Sequence, residues 1–360
     1  MNSNTDSVFS KRGLSWLGLL MVIAVVAGAV VTGFVLMDWP ENSRILTPLS
    51  LEQIISKPLE AFSFEELSLY EPTVSEIVLE GIITQEPEFT AYLFSYTTQE
   101  KKATGQINLP RGYESKQMPV IVMLRGFVDS SIYQTGVGTR NAAAVYASNG
   151  FITVAPDFLG YGGSDADDND SFAARLKRPI TVLDLIASVK QLPYIDENSV
   201  FMWGHSNGGQ IALSILEITQ ANYPTALWAP VSKPFPYSIL YYSDEADDFG
   251  KSMRNSLAAF EALYDVDKYS LHSYWDRIKA PIQLHQGGQD MEVPIWWSDE
   301  LAEILREVKN EAGEAQIDLT YFRYPQADHN LRPDWNTVVQ RDVAFYVDQL
   351  NTVDATVSAN

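Results

Sequence analysis

The 360-residue chain has no cysteine. This excludes disulfides, thiolate zinc sites, a cysteine nucleophile and a lipidated N-terminal cysteine. Basic residues are scarce: 25 Lys and Arg stand against 46 Asp and Glu, a formal net charge of -21. A phosphate backbone needs a basic face, so nucleic acid is not an expected partner. Histidine is limited to four residues, His205, His272, His285 and His329, so any histidine base comes from a short choice. The sequence holds no HExxH and no GxxxxGK[ST], which leaves zinc hydrolysis and P-loop chemistry without support. It also holds no internal repeat and no low-complexity tract. The composition is globular, 46% hydrophobic and 20% charged, and the length allows one large domain or two modest ones.

Charge is missing altogether from one long stretch, Leu14 to Met37, LSWLGLLMVIAVVAGAVVTGFVLM. As a helix it would span about 36 Å, enough for a hydrocarbon core of ~30 Å with some tilt. Lys11 and Arg12 precede it, and Asp38 and Glu41 follow it. The positive-inside rule then predicts a single-pass anchor with a cytoplasmic tail (1–13) and the rest of the chain extracytoplasmic. A cleaved signal peptide is the alternative, with Ala27 and Ala29 as an A-x-A-like site, although the apolar run continues past it. Ala24, Gly28 and Thr32 form a small-residue stripe of the kind that pairs membrane helices.

Residues 38–72 carry Pro40, Pro48, Pro58 and Pro72 and read as a juxtamembrane linker that docks on the domain, with Ser50 and Gln53 as a capping box. Residues 73–353 read as the main globular domain. Three strand-like segments open it, SEIVLEGIIT, FTAYLFSYTT and ATGQINL, with a hairpin near Thr97 to Lys102. After Pro110 apolar strands alternate with helical segments: MPVIVML, 141–148, FITVAP, 172–192, SVFMWG, GQIALSILEI, TALWAP, PIQLHQ, WSDELAEILREV, IDLTYFRYP and a last helix from Trp335. The expected fold class is therefore α/β, a doubly wound, mostly parallel sheet with an antiparallel lead-in. Residues 231–280 break the rhythm and read as a helical cap. The acidic run Asp165, Asp167, Asp168, Asp170 fails as a calcium loop, because Asp170 stands where an EF-hand needs glycine and Leu176 where it needs a bidentate Glu. It reads as a solvated loop.

Gly204-His205-Ser206-Asn207-Gly208-Gly209 matches G-x-S-x-G between a strand and a helix. That placement holds a serine exposed on a sharp turn, with the helix N-terminus facing developing negative charge. A serine hydroxyl needs a base, and in this fold the chain order is Ser, acid, His. His205 sits inside the elbow, His272 in the cap, and His285 before any acid loop. His329, after the last strand, remains. The loop GGQDMEVP supplies the acid. Asp290 is favoured because Gly287 and Gly288 allow a sharp turn toward His329, and Glu292 or a cap acid is the alternative. The oxyanion donors are expected to be the N–H groups of Asn207 and Phe127. Arg125, before Phe127, is expected either to bind a substrate carboxylate or to pair with a nearby acid. Tyr241 and Trp296, from an aromatic cluster with Phe235, Tyr237, Tyr242 and Trp297, are candidates to line an acyl or side-chain pocket, or else to pack the cap.

These residues resemble a family. From about 75 to 350 the chain is similar to the α/β-hydrolase catalytic domain of prolyl-oligopeptidase-type serine hydrolases, the dipeptidyl-peptidase and acylaminoacyl-peptidase kind. The resemblance rests on GHSNGG, the D-x-x-V-P loop from Asp290 to Pro294, ADH at 327–329 and APDFLGYGGSD at 155–165. It implies the fold, the Ser206–Asp290–His329 triad and cleavage of a peptide bond. Two departures stand out. Arg125 lies near where such enzymes often carry an oxyanion tyrosine, and the chain has no room for the β-propeller usual in these peptidases. DFLGYGGSD also resembles secreted lipases and esterases, so a carboxylesterase is the alternative within the class. A non-catalytic, membrane-tethered binding domain is the alternative outside it. The expected partners are a small-molecule or peptide substrate and, through 14–37, a membrane. No metal or organic cofactor is expected.

Overall fold

The computed structural model describes residues 56–359. The 14–37 segment, the tail before it and the Ser50–Gln53 box lie outside the described residues. No helix among the described residues is long and apolar enough to cross a membrane.

The described strands are β1 (Val78–Gln85), β2 (Phe89–Thr98), β3 (Lys101–Pro110), β4 (Met118–Leu124), β5 (Ile152–Pro156), β6 (Ile195–His205), β7 (Thr225–Trp228), β8 (Ile282–Gly287) and β9 (Leu319–Tyr324). They form one sheet in the order β1-β2-β3-β5-β4-β6-β7-β8-β9. The first three strands are the antiparallel lead-in, and β3 also meets β5 antiparallel. All later pairs are parallel. The hairpin between β2 and β3 closes on Gln99 and Glu100, both at positive φ (51° and 60°), the twist that a two-residue hairpin loop requires.

The helices are α1 (Phe64–Ser68), α2 (Arg140–Ser148), α3 (Ser171–Leu176), α4 (Arg178–Val189), α5 (Asn207–Thr219), α6 (Tyr237–Leu240), α7 (Lys251–Glu261), α8 (Ile295–Glu307) and α9 (Trp335–Ala359). The central strands β4, β5, β7 and β8 are buried on both faces, which is why they read as apolar runs, while the edge strand β1 is exposed along its length. Along β4, Val120, Val122 and Leu124 join the core under α1, α4, α5 and α8. Ile121 and Met123 join the opposite core, under α2 and α9.

Three local details depart from the sequence reading. The helix expected over 172–192 is two helices, α3 and α4. Pro179 has no N–H to continue the first, and a proline in the first turn suits the start of the second. Residues 57–72, read as linker, lie within the compact unit that begins at Lys57. Ser63 caps α1 by accepting the Glu66 N–H, and Phe64 and Leu67 enter the core. The Tyr70 hydroxyl and the Thr73 N–H both donate to the buried Asp184 carboxylate (2.9 and 2.7 Å), as does Thr98 (2.6 Å). The acidic loop is not merely solvated. Asp170 caps α3, Asp165 accepts the Lys102 N–H, and Asp168 pairs with Lys177 at 2.8 Å.

Between β7 and β8 the chain builds an aromatic cap. Phe235, Phe260, Tyr264 and Tyr269 pack with Phe172 of α3 into a small core of their own.

Candidate active site

The strand order turns around between β4 and β6. The chain steps outward from β4 to β5, then returns to place β6 on the other side of β4. In such sheets the crevice beyond the carboxyl ends of the strands at this point is where ligands bind. The register aligns those ends: Leu124 opposite Gly204, His205 opposite Trp228, Trp228 opposite His285, and Gly287 opposite Tyr324. The loops after β4, β6, β8 and β9 therefore leave the sheet on one edge. These loops carry Phe127, Ser206, Asp290 and His329.

Ser206 sits between β6 and α5 with φ 56° and ψ -120°. A non-glycine residue there is strained, and a strained serine on a strand-to-helix turn is what a nucleophile elbow presents. Its backbone is held on both sides: the Ser206 N–H donates to Trp228 O (2.9 Å), and Ser206 O accepts from Gly209 and Val231. Small neighbours are obligatory. A Cβ on Gly208 would overlap the Leu124 carbonyl, and one on Gly204 would stand 2.7 Å from Gly208 O. Gly126, from the loop after β4, lies against the serine, where an added Cβ would approach Ser206 Oγ to 3.5 Å. Among the described residues no protein acceptor takes the N–H of Phe127 or of Asn207.

Asp290 and His329 meet. His329 Nδ1 lies 2.8 Å from Asp290 Oδ2. The Asp290 side chain is fully buried, while His329 keeps 12% of its own exposed. Three further donors reach the carboxylate: the N–H groups of Glu292 (3.0 Å) and Val293 (2.8 Å) on Oδ1, and Gln286 Nε2 (2.9 Å) on Oδ2. A carboxylate so surrounded accepts from His329, so Nδ1 carries the proton and Nε2 is left as the basic nitrogen. No hydrogen bond joins Ser206 Oγ to His329 among the described residues. Glu292 also brings an oxygen close to Asp290 and His329, within 4.8 Å, but it is exposed, and the Asp290 oxygens are already engaged.

Gly287 and Gly288 serve the acid loop for another reason than a sharp turn. Added side chains would strike the carbonyls of Ala327 and Asp328, or of Pro325. The glycines let the loop after β8 lie directly on the loop that carries His329, and Gly288 N–H to Tyr324 O (2.8 Å) and Gln289 N–H to Ala327 O (2.9 Å) join them.

Two positioning residues went unseen in the sequence. Gln286, fully buried at the end of β8, donates to Asp290 and to Val293 O, and accepts from Ser298. Its only sequence signal is a polar residue closing an apolar strand. His205 Nε2 donates to the His329 carbonyl at 2.9 Å, and the two rings lie against each other, tilted by 35°, with centroids 4.6 Å apart. Burial first, and then the neighbouring His329, hold the His205 imidazole down to about 4, so it stays neutral.

Arg125 pairs with no acid among the described residues, and it lines a groove beside Ser206. It is buried, with its guanidinium between the rings of Tyr133 (4.4 Å) and Tyr161 (4.1 Å). It donates to Gly126 O (2.9 Å) and Asp157 O (3.0 Å), backbone carbonyls rather than an acid. It thus braces the loop that carries Phe127. The Asp157 carboxylate is held by the hydroxyls of Thr104, Tyr133 and Thr135. Tyr241 packs edge-on to Trp297 (4.8 Å), and Trp296 lies over Lys233, which pairs with Glu300. Neither Tyr241 nor Trp296 lines the two grooves found beside Ser206. Those grooves, about 530 and 270 Å³, share Arg178, Asn207 and Ile211.

No curated protein matches the chain. Among solved structures, acetyl xylan esterase 1 from Thermoanaerobacterium sp. aligns at 16% identity and TM-score 0.55, covering 81% of this chain and 100% of its own. Ferulic-acid-bound Est1E from Butyrivibrio proteoclasticus aligns at 16% identity and TM-score 0.50, over 71% of this chain and 99% of its own. The acylaminoacyl peptidase of Pyrococcus horikoshii aligns at 18% identity and TM-score 0.54, over 73% of this chain. This chain spans only 42% of that peptidase. At such identities the likeness is one of fold, the α/β-hydrolase sheet with its elbow. The prolyl oligopeptidase family model matches residues 138–352, more than half of the chain and all three of Ser206, Asp290 and His329. The chain belongs to the prolyl oligopeptidase family of serine hydrolases.

Proposed function

We propose that the chain cleaves an ester or peptide bond through an acyl-enzyme on Ser206, at the outer face of a membrane to which residues 14–37 tether it. The observation that carries the chemistry is the buried Asp290 locked to His329 Nδ1 at 2.8 Å on the same edge of the sheet as the strained serine. Ser206 Oγ attacks the substrate carbonyl while His329 Nε2 takes its proton. The N–H groups of Asn207 and Phe127 receive the oxyanion. His329 then gives the proton to the leaving alcohol or amine as the carbonyl bond to it breaks. Water, deprotonated by the same nitrogen, releases the acid and restores Ser206. Asp290 keeps the imidazole in the tautomer this sequence needs.

Labelling of the full chain with a fluorophosphonate probe tests the reading. The wild type should label and Ser206→Ala should not. A folded wild type that fails to label would leave the triad without an activated serine. Aminoacyl amides set against short p-nitrophenyl esters then separate peptidase from esterase. Digestion of the domain by protease added outside intact cells, after outer-membrane permeabilisation where there is one, is expected for the tether. Protection until lysis would rule it out.

A further inference from the structure

The protein carries an excess of 21 negative charges, yet arginines gather beside the nucleophile with no acid partner among the described residues. Arg175, in the last turn of α3, and Arg178, at the first residue of α4, line the larger groove with Asn207 and Gln210. Arg178 also lines the smaller groove, against Gly126 and Phe127. Among the described residues Arg175 has one hydrogen-bond partner, a neutral one: it donates to Gln210 Oε1 at 2.7 Å. Arg178 has neither a hydrogen bond nor an ion pair among the described residues. Asp167 is the carboxylate whose field reaches it, and one oxygen of Asp167 is taken by the Asp168 N–H. The other charges near Arg178 are Arg125 and Arg175, and Tyr161 stands beside it. Burial first, and then Arg178 itself, hold the Arg175 guanidinium down to about 10, so it remains charged at neutral pH. Two half-buried guanidinium groups that line one groove within three residues of each other, with no ion pair among the described residues, are unfavourable as they stand. An anion placed between them removes that cost, and a carboxylate fits the planar fork of each.

The groove's lining also says which half of the substrate is anionic. None of its walls comes from the loops that carry Asp290 and His329. The leaving group must lie under His329, which protonates it, so the groove on the Asn207 side holds the acyl half. Phe62, Phe64, Phe235 and Tyr269 supply apolar walls for a short methylene chain. Resting on the serine hydrolase reading above, we propose that the acyl group is short and ends in a carboxylate, as in a half-ester of an aliphatic dicarboxylic acid, held by Arg178 and Arg175.

The test compares 4-nitrophenyl hydrogen adipate with 4-nitrophenyl hexanoate on the full chain. The two acyl groups have equal length and differ in a terminal carboxylate against a methyl. The adipate ester should have the higher kcat/KM by about tenfold or more. Arg178→Met should bring the ratio near one, Arg175→Met should lower it, and Arg178→Lys should keep part of the preference while confirming that the fold tolerates change there. A wild-type ratio of one or below, or a ratio unmoved in both methionine variants, overturns the inference. Calorimetric binding of adipate separates this from the catalytic reading. If neither ester turns over but adipate binds the wild type and not Arg178→Met, the hydrolase reading fails and the anion site stands. If adipate does not bind and no preference is seen, the anion site falls whatever the esterase activity.

Discussion

The Asp290 carboxylate accepts four hydrogen bonds, and besides His329 only one comes from a side chain, Gln286. Replacing it by Met keeps the volume and leaves the carboxylate free to rotate away from His329. Turnover should fall about ten- to a hundredfold with KM little changed, since small misplacements of a catalytic group act on the transition state. Steady-state kinetics on any ester substrate checks this, and an unchanged kcat would remove Gln286 from the machinery. His205 supports the base from the other side through its carbonyl. It is buried and neutral, with an imidazole held at about 4 against an unfolded value near 6.5. The depressed value means the unfolded chain binds the extra proton first. Stability should therefore be intact above pH ~6.5 and fall by about 3 kcal/mol from this residue as pH drops to ~4. In His205→Gln, which keeps a donor for the His329 carbonyl, urea denaturation from pH 7 to pH 4 should show a shallower loss than the wild type.

Tyr346 and Arg341 of the C-terminal helix α9 reach Met202 O and the Tyr324 hydroxyl of the sheet, and a third residue gathers more ties than either. Asp342, fully buried, accepts from Tyr146 of α2 (2.7 Å), Trp228 of β7 (2.7 Å), and Gln283 and His285 of β8 (2.8 and 2.9 Å). His285 completes the set through Tyr324 at the end of β9 (2.8 Å). These side chains fix the ends of β7, β8 and β9, from which the acid and histidine loops depart. Asp342→Leu would leave four buried donors unanswered and should cost about 3–5 kcal/mol, read as a lower urea midpoint at constant slope. Asp342→Asn, which still accepts through one oxygen, should cost less. The network also accounts for His285, one of the four histidines weighed as a base: it works in the structure, not at the reaction centre.

Over the whole molecule a formal charge of -21 acts against compactness. Ion pairs such as Lys102–Glu80 and Lys268–Glu60 are partly exposed and relieve little of it. Raising sodium chloride from about 10 to 300 mM shortens the Debye length from roughly 30 to 6 Å and should raise the melting temperature by several degrees. A melting temperature that falls with salt would mean that specific pairs outweigh the general repulsion. The same negative field leaves the arginines beside Ser206 as a local exception, which is why they point to the substrate rather than to stability.

Much was legible in the order of the residues, because it is written in local patterns. Strands buried on both faces must be apolar throughout, so β4, β6 and β8 stand out in the sequence. A serine between small residues at a strand-to-helix junction has few other uses, and the chain order of elbow, acid loop and histidine then names Asp290 and His329. Where a residue's partner lies far along the chain, the sequence was silent or misleading. The break at Pro179 was visible, yet the helix reads as continuous because its apolar spacing carries on. Gly287 and Gly288 are needed for the approach of a loop some forty residues away, not for their own turn. Gln286, His205 and Asp342 look like stray polar residues until the sheet brings their partners to them. Arg125 faces two tyrosines and two carbonyls that no spacing rule connects, while Arg175 and Arg178, unremarked among ordinary surface charges, are left without acids only once the chain has folded around them. Local backbone chemistry determined the sheet and the candidate triad. The tertiary structure decided which side chains hold them and which charges are left for a ligand, because only folding settles which polar groups find partners and which do not.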